Sequence, residues 1–273
     1  MSRLEQLHKV QIFILKEIKR ICEKFEIEYF LDSGTLLGAV RHKGFIPWDD
    51  DIDIGMTIDN YFKFLEAADK DMNSAFFIDN YYNNKECATV FTKIRLKNTR
   101  LIELKGAAGS GHNEIFVDIF PYYFVSDNYF IRKMDAWKMI LKTQIFFSMS
   151  GGRAWAGENI FKRIKFIPIE ILAVFSSKEK IFKKLDLMIT RYKDTGYMCS
   201  HSGGGFYTRW CFPAHVFSEF TFVEFENELY PAPKRYDEYL SICYGRYMTI
   251  QREEERVTHN IIDLDFGKYG SLE

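Results

Sequence analysis

The chain has 273 residues, 47% of them apolar and 27% charged, which suffices for one large domain with a hydrophobic core and excludes a disordered segment. Its 37 Lys/Arg nearly balance 38 Asp/Glu, so no general nucleic-acid binder is expected. Five scattered cysteines, Cys22, Cys87, Cys199, Cys211 and Cys243, speak against a disulfide framework.

The first twenty residues, MSRLEQLHKVQIFILKEIKR, carry a charge every few positions. That suits neither a signal peptide nor a spanning helix, and a cytoplasmic location is expected. Leu4, Leu7, Val10, Ile14, Ile18, Ile21, Cys22 and Phe25 recur at helical period and predict an amphipathic helix over residues 4–25. Residues 26–32 then read as a short strand, Ser33-Gly34-Thr35 as a small-residue turn and residues 36–41 as a second helix. Residues 51–56 alternate Asp-Ile-Asp-Ile-Gly-Met, a strand pattern that sends Asp51 and Asp53 to one face.

A helix at 61–71 and strands at 76–82, 89–96 and 115–120, the last ending at Pro121, complete an α/β core over residues 1–125. Residues 126–195 read as a helical insertion broken at Ser150-Gly151-Gly152 and at Pro168. From 126 to 193 it holds 14 Lys/Arg against 6 Asp/Glu, a net +8, which suits a phosphate-bearing polymer or an anionic membrane surface. Residues 166–175 are its most apolar part, too short to span a bilayer and free to pack on the core or lie on a membrane. Residues 196–273 form a C-terminal elaboration that completes the active-site domain. Within it Cys199, His201, Cys211 and His215 lie close enough in sequence to raise a zinc site, although their spacing fits no strong metal pattern.

The chemistry centres on Asp49-Asp50-Asp51-Ile52-Asp53. Four aspartates in five positions repel one another, and a hard divalent ion, Mg2+ or Mn2+, with two ions expected in a transfer site, is the natural neutraliser. Asp118, set among apolar residues in Phe116-Val117-Asp118-Ile119-Phe120, is the candidate third metal ligand beside Asp51 and Asp53. Ser33, Gly34 and Thr35 offer hydroxyls and a close backbone approach to phosphate. Arg41, His42, Lys93 and Arg95 are candidate basic contacts. A glycosyltransferase with an Asp-x-Asp motif is a rival reading, but only 48 residues precede Asp49, too few for the nucleotide-binding half such enzymes place there. A non-catalytic calcium- or glycan-binding module is the other, and it would need neither the glycine turn nor the basic strand.

Ser33-Gly34-Thr35-Leu36-Leu37-Gly38-Ala39-Val40-Arg41-His42, then Gly44-Phe45-Ile46-Pro47-Trp48 running into the aspartates, resembles the signature of the LicD phosphotransferase family. Lys93-Ile94-Arg95, Val117-Asp118-Ile119-Phe120-Pro121 and a tail with Tyr244, Gly245, Arg256 and His259 are similar as well. The resemblance implies a nucleotidyltransferase-like mixed sheet and transfer of a phospho-substituent, phosphocholine in the best-known case, from a CDP-linked donor to a hydroxyl of a teichoic acid or lipopolysaccharide glycan. It also implies metal at Asp51, Asp53 and Asp118, the donor at Ser33, Gly34 and Thr35, an acceptor handled by Asp49 or Asp50, and a tail carrying Arg256 and His259 that closes over the site.

Overall fold

The computed structural model describes residues 2–104, 111–152, 160–200, 210–250, 252 and 261–272. The first helix, α1 (Arg3–Lys24), opens on a capping box in which Ser2 and Glu5 satisfy each other's backbone N–H groups. Its apolar stripe, Leu7, Val10, Ile14, Ile18 and Ile21, is wholly buried in the main core. β1 is only Phe30–Leu31, and Asp32 caps α2 (Ser33–His42), so the Ser-Gly-Thr run is the first turn of a helix and not a loop before one.

β2 (Asp53–Thr57) begins at Asp53. Asp51 therefore lies in the loop ahead of the strand, and the expected sharing of a strand face by Asp51 and Asp53 does not hold. α3 (Ile58–Asp71), β3 (Phe76–Asp79), β4 (Thr92–Leu96) and β5 (Arg100–Glu103) follow. β6 (Phe116–Val125) continues through Pro121. Its first half pairs with β4 as far as Ile119, and its second half pairs from Tyr122 with β7 (Tyr197–Ser200). Pro121 falls in the gap between the two partners, where no ladder needs its missing N–H.

The sheet runs β1-β2-β6-β4-β3, with β7 and then β8 (Cys211–Pro213) added beyond β6, seven strands in all. β2 lies parallel to β6 while the other neighbours are antiparallel, a mixed sheet of the α/β class. Two ribbons lie outside it. β9 (Phe220–Phe225) and β10 (Glu228–Pro233) form a hairpin that turns at Glu226-Asn227, both at positive φ. β5 pairs with β11 (Ile261–Asp265). Neither ribbon was expected from the sequence.

The helical segment holds α4 (Tyr129–Met149), α5 (Ile160–Val174) and α6 (Lys178–Ile189). α4 and α6 close a second, smaller core around Tyr81, Phe146 and Leu185. Pro168 sits inside α5 instead of ending it, and the real break is at Ser177, which caps α6. The last helix is α7 (Tyr236–Tyr244). Among the described residues no helix is long and apolar enough to cross a membrane.

Candidate active site

The site is built on one row of side chains across the sheet. Register places Asp53 of β2 beside Asp118 of β6, Asp118 beside Lys93 of β4, and Lys93 beside Asp79 of β3. Directly aligned residues of neighbouring strands share a face, so the row reads minus, minus, plus, minus. Asp32 extends it at the β1 end, where its N–H donates to the Asp53 carbonyl at 3.0 Å.

Lys93 Nζ donates to both oxygens of Asp118, at 2.7 and 2.9 Å, and lies 3.3 Å from the centre of the Phe116 ring. Arg95, one step along the same face, turns away: Nε donates to Asp79 at 2.6 Å and a terminal nitrogen donates to the Glu114 carbonyl at 2.8 Å. With Arg95 4% and Asp79 1% exposed, that pair is part of the core.

Asp49, Asp50 and Asp51 bring one carboxylate oxygen each to within 4.8 Å of the others. This compact group differs from the expected trio of Asp51, Asp53 and Asp118, because the loop before β2 folds its own carboxylates together while Lys93 takes Asp118. All the same, the two sets belong to one field. Burial pushes the Asp53 carboxyl well above the usual carboxylate range, and Asp51, Asp118, Asp32 and Asp49 push it further. A purely oxygen donor set under such mutual repulsion fits a hard cation such as Mg2+ or Mn2+.

The amino end of α2 faces the acidic loop. A Cβ at Gly34 would meet Asp49 Oδ2 at 2.8 Å, so glycine is what admits the carboxylate to the helix end. Ser33 takes φ +48, a left-handed conformation that costs a non-glycine residue energy and is characteristic of functional turns. Its hydroxyl and that of Thr35 belong to buried residues. Thr35 Oγ1 accepts from the Asp53 N–H at 2.8 Å, which fixes the start of β2. Arg41 donates to the carbonyls of Tyr247 and Thr249 and through Nε to His42, tying the C-terminal region to α2. Burial lowers both the Arg41 and the His42 pKa.

Several residues that place this site escaped the sequence reading. Asp32 is buried and accepts from the hydroxyls of Tyr122 and Tyr239 and from the Ser33 N–H. Tyr122 reaches it by lying across Gly55, where a Cβ would come within 2.8 Å of the Tyr122 ring and 2.4 Å of the Phe30 ring. On α1, His8 donates through Nε2 to the Asp49 carbonyl at 2.8 Å and stacks on Phe45, and Gln11 donates to the Asp50 carbonyl at 2.9 Å. Gln11 interrupts the apolar stripe of α1, and a polar residue on a core face was the available signal. Asp32 gave a weaker one, as a capping residue type just before the small-residue run.

Arg256, His259 and His201 lie outside the described residues. Cys199 and Cys211 face each other across β7 and β8, while His215 pairs with Glu238. Among the described residues Asp49-Asp50-Asp51 is the only acidic, His or Cys trio whose donor atoms already lie within 4.8 Å of one another.

Fold and site together define an α/β protein with a polycarboxylate centre at the amino end of a helix. Residues 26–151 match the family model described as LicD/FKTN/FKRP, nucleotidyltransferase domain. The lipopolysaccharide cholinephosphotransferase LicD of Haemophilus influenzae is 29% identical over 269 residues, covering 94% of this chain and 96% of that protein. The mouse ribitol 5-phosphate transferase FKRP is 25% identical over 103 residues, 38% of this chain and 18% of that protein. The likeness is thus to the LicD family, through its nucleotidyltransferase-domain model over residues 26–151 and through a cholinephosphotransferase over nearly the whole chain.

Proposed function

We propose that the protein transfers a phospho-substituent, phosphocholine first among the candidates, from a CDP-linked donor to a hydroxyl of a cell-surface glycan such as lipopolysaccharide or teichoic acid. The observation that carries this reading is the crowding of Asp49, Asp50, Asp51, Asp53 and Asp118 around the amino end of α2. Phosphoryl transfer needs a cation site beside a phosphate cradle, and little else from the protein. The near full-length similarity to a cholinephosphotransferase supports the choice of substituent.

In this reading Asp51, Asp53 and Asp118 hold Mg2+ or Mn2+, which when bound neutralises donor phosphate charge. The backbone at Ser33, Gly34 and Thr35 receives the phosphates at the helix end. Lys93 sits against Asp118 and keeps positive charge beside the phosphates. The acceptor hydroxyl oxygen bonds to the phosphorus that carries the substituent, the bond from that phosphorus to the CMP oxygen breaks, and the hydroxyl proton passes to Asp49 or Asp50. His8 and Gln11 hold the backbone of those two residues and so set where the accepting carboxylate stands. Arg95 has no part in this, since Asp79 and Glu114 occupy it.

The test is CMP release from CDP-choline, CDP-ribitol and CDP-glycerol with candidate glycans, with and without Mg2+. Turnover that requires the divalent ion and disappears when Asp51 and Asp53 are both changed to Asn is expected. Unchanged turnover in that double variant, or calcium binding with no turnover of any donor, overturns the reading.

A further inference from the structure

The helical segment breaks the ordinary rule for amphipathic helices. α1 puts charge on its outer face, but α4 is apolar on both sides. Its inner face buries Ala136, Met139, Ile145 and Phe146. Phe130, Met134, Trp137 and Leu141 follow at spacings of four, three and four and are all exposed, Phe130 to 80% and Trp137 to 68%. That is a second complete stripe, left largely uncovered by the described residues.

α5, which packs on α4, repeats the pattern. Ile164, Ile167 and Ile171 are exposed at helical spacing, with Leu172 beside them, and Phe175, the residue after the helix, continues the line at 85% exposed. Isolated exposed apolar residues are ordinary, but two stripes on adjacent helices are not.

The charge around them is mostly basic, although Lys138 pairs with Asp135 at 3.8 Å and Lys183 with Glu179 at 2.8 Å. Lys133 and Lys138 flank the α4 stripe and are exposed. Lys142, one turn on, has its pKa lowered by partial burial and by Lys184 and Lys138, so these ammonium groups are gathered in space despite their repulsion. α6 adds exposed Lys180 and Lys183.

We propose that the outer face of α4 and α5 is a docking surface for an anionic phospholipid bilayer, with the apolar stripes entering the headgroup–acyl boundary and the lysines meeting lipid phosphate. An apolar face ringed by lysines is the composition of an interfacial helix, whose lysines extend to the headgroups while their stems stay in apolar surroundings. Trp137 suits the same depth. A second copy of the chain is the competing occupant, and the lysines argue against it: lysine is depleted at protein interfaces, and two such faces would oppose like charges. The inference goes beyond the proposed transfer and depends on no step of it.

The test is sedimentation of the full chain with vesicles of phosphatidylcholine alone and of phosphatidylcholine mixed with phosphatidylglycerol, without nucleotide or glycan. Binding only to the anionic vesicles is expected, weakening with salt. Trp137→Glu combined with Phe175→Glu should abolish it. Lys133→Gln, Lys138→Gln and Lys142→Gln together should weaken it on the order of 100-fold, from roughly one surface-lysine contribution each. Circular dichroism and thermal unfolding confirm that the variants fold, as expected for exposed positions. No binding by the wild-type chain, equal binding to both vesicle types, or binding that survives the Trp137/Phe175 pair overturns the proposal. So does a dimer in the absence of vesicles that this pair dissociates, which would assign the face to a second copy.

Discussion

The sheet face and the helical segment depart from the usual burial rule in opposite directions. Around β2, β4 and β6 the protein buries charge at its candidate site: Asp32, Asp50, Lys93 and Asp118 are all buried. Around α4 and α5 it exposes Phe130, Trp137, Ile171 and Phe175. Buried polar groups and exposed apolar patches are the informative exceptions in a folded chain. Stability alone explains neither, so each marks a surface kept for contact with something else.

The comparison breaks first at Asp53. If its buried carboxylate served the fold, Asp53→Asn would destabilise the protein. If it serves a cation, the substitution removes transfer by on the order of a thousandfold, about 4 kcal/mol of barrier. Repulsion from Asp51, Asp118, Asp32 and Asp49 is relieved at the same time. The thermal midpoint without divalent ions should therefore rise, and the midpoint shift on adding Mg2+ should shrink. Differential scanning fluorimetry with and without Mg2+, beside CMP release, reads both.

Asp79 gives the contrasting case inside the same row. Its pair with Arg95 is sealed from solvent, and breaking one side leaves an uncompensated buried charge. Asp79→Asn should cost on the order of 3 kcal/mol in urea unfolding, with kcat per folded molecule little changed. A large fall in kcat at full folding would return Arg95 to the site.

Gly34→Ala separates packing from charge. The new Cβ, at 2.8 Å from Asp49 Oδ2, must displace a carboxylate without altering any charge. A displacement of that kind is expected to lower kcat/KM by roughly 10- to 100-fold, while unfolding in urea moves far less than for Asp79→Asn. Loss of stability without loss of turnover in the folded fraction would make Gly34 a packing residue only.

These cases also show what the sequence could convey. The acidic run, the glycine-containing helix start and Asp118 were legible because each is a local pattern of unusual residue types. The helices were legible where one face is apolar, as in α1 and α3. Asp51 was placed on a strand because alternation cannot tell where pairing begins, and β2 starts only at Asp53. Arg95 looked like a phosphate contact because a strand pattern gives its face and not its partner, and Asp79 lies on another strand. Pro168 and Pro121 looked like breaks, but one lies within α5 and the other in a gap between two partner strands. His8 and Gln11 were hidden for the same reason as Asp79: their work is done across 41 and 39 residues of sequence.

His8 carries the smallest effect and the finest test of the buried side. Burial lowers its pKa from the usual 6.5, against the hydrogen bond to the Asp49 carbonyl and the charges of Glu226, Asp50 and Glu5. A base whose folded pKa is depressed stabilises the fold above its unfolded pKa. As pH falls below 6.5 the unfolded chain takes up a proton that the folded chain resists, and stability is lost until the folded pKa is passed. His8→Gln keeps a donor for the carbonyl but cannot titrate. Urea midpoints between pH 5 and 7 should therefore slope downward toward acid in the wild type and less steeply in the variant, a difference of about 1 kcal/mol or less. The loss of the Phe45 stack should lower the whole curve slightly. Parallel slopes would mean that the acid sensitivity arises elsewhere, and that the acidic loop is held by Gln11 and its own carboxylates rather than by the ring of His8.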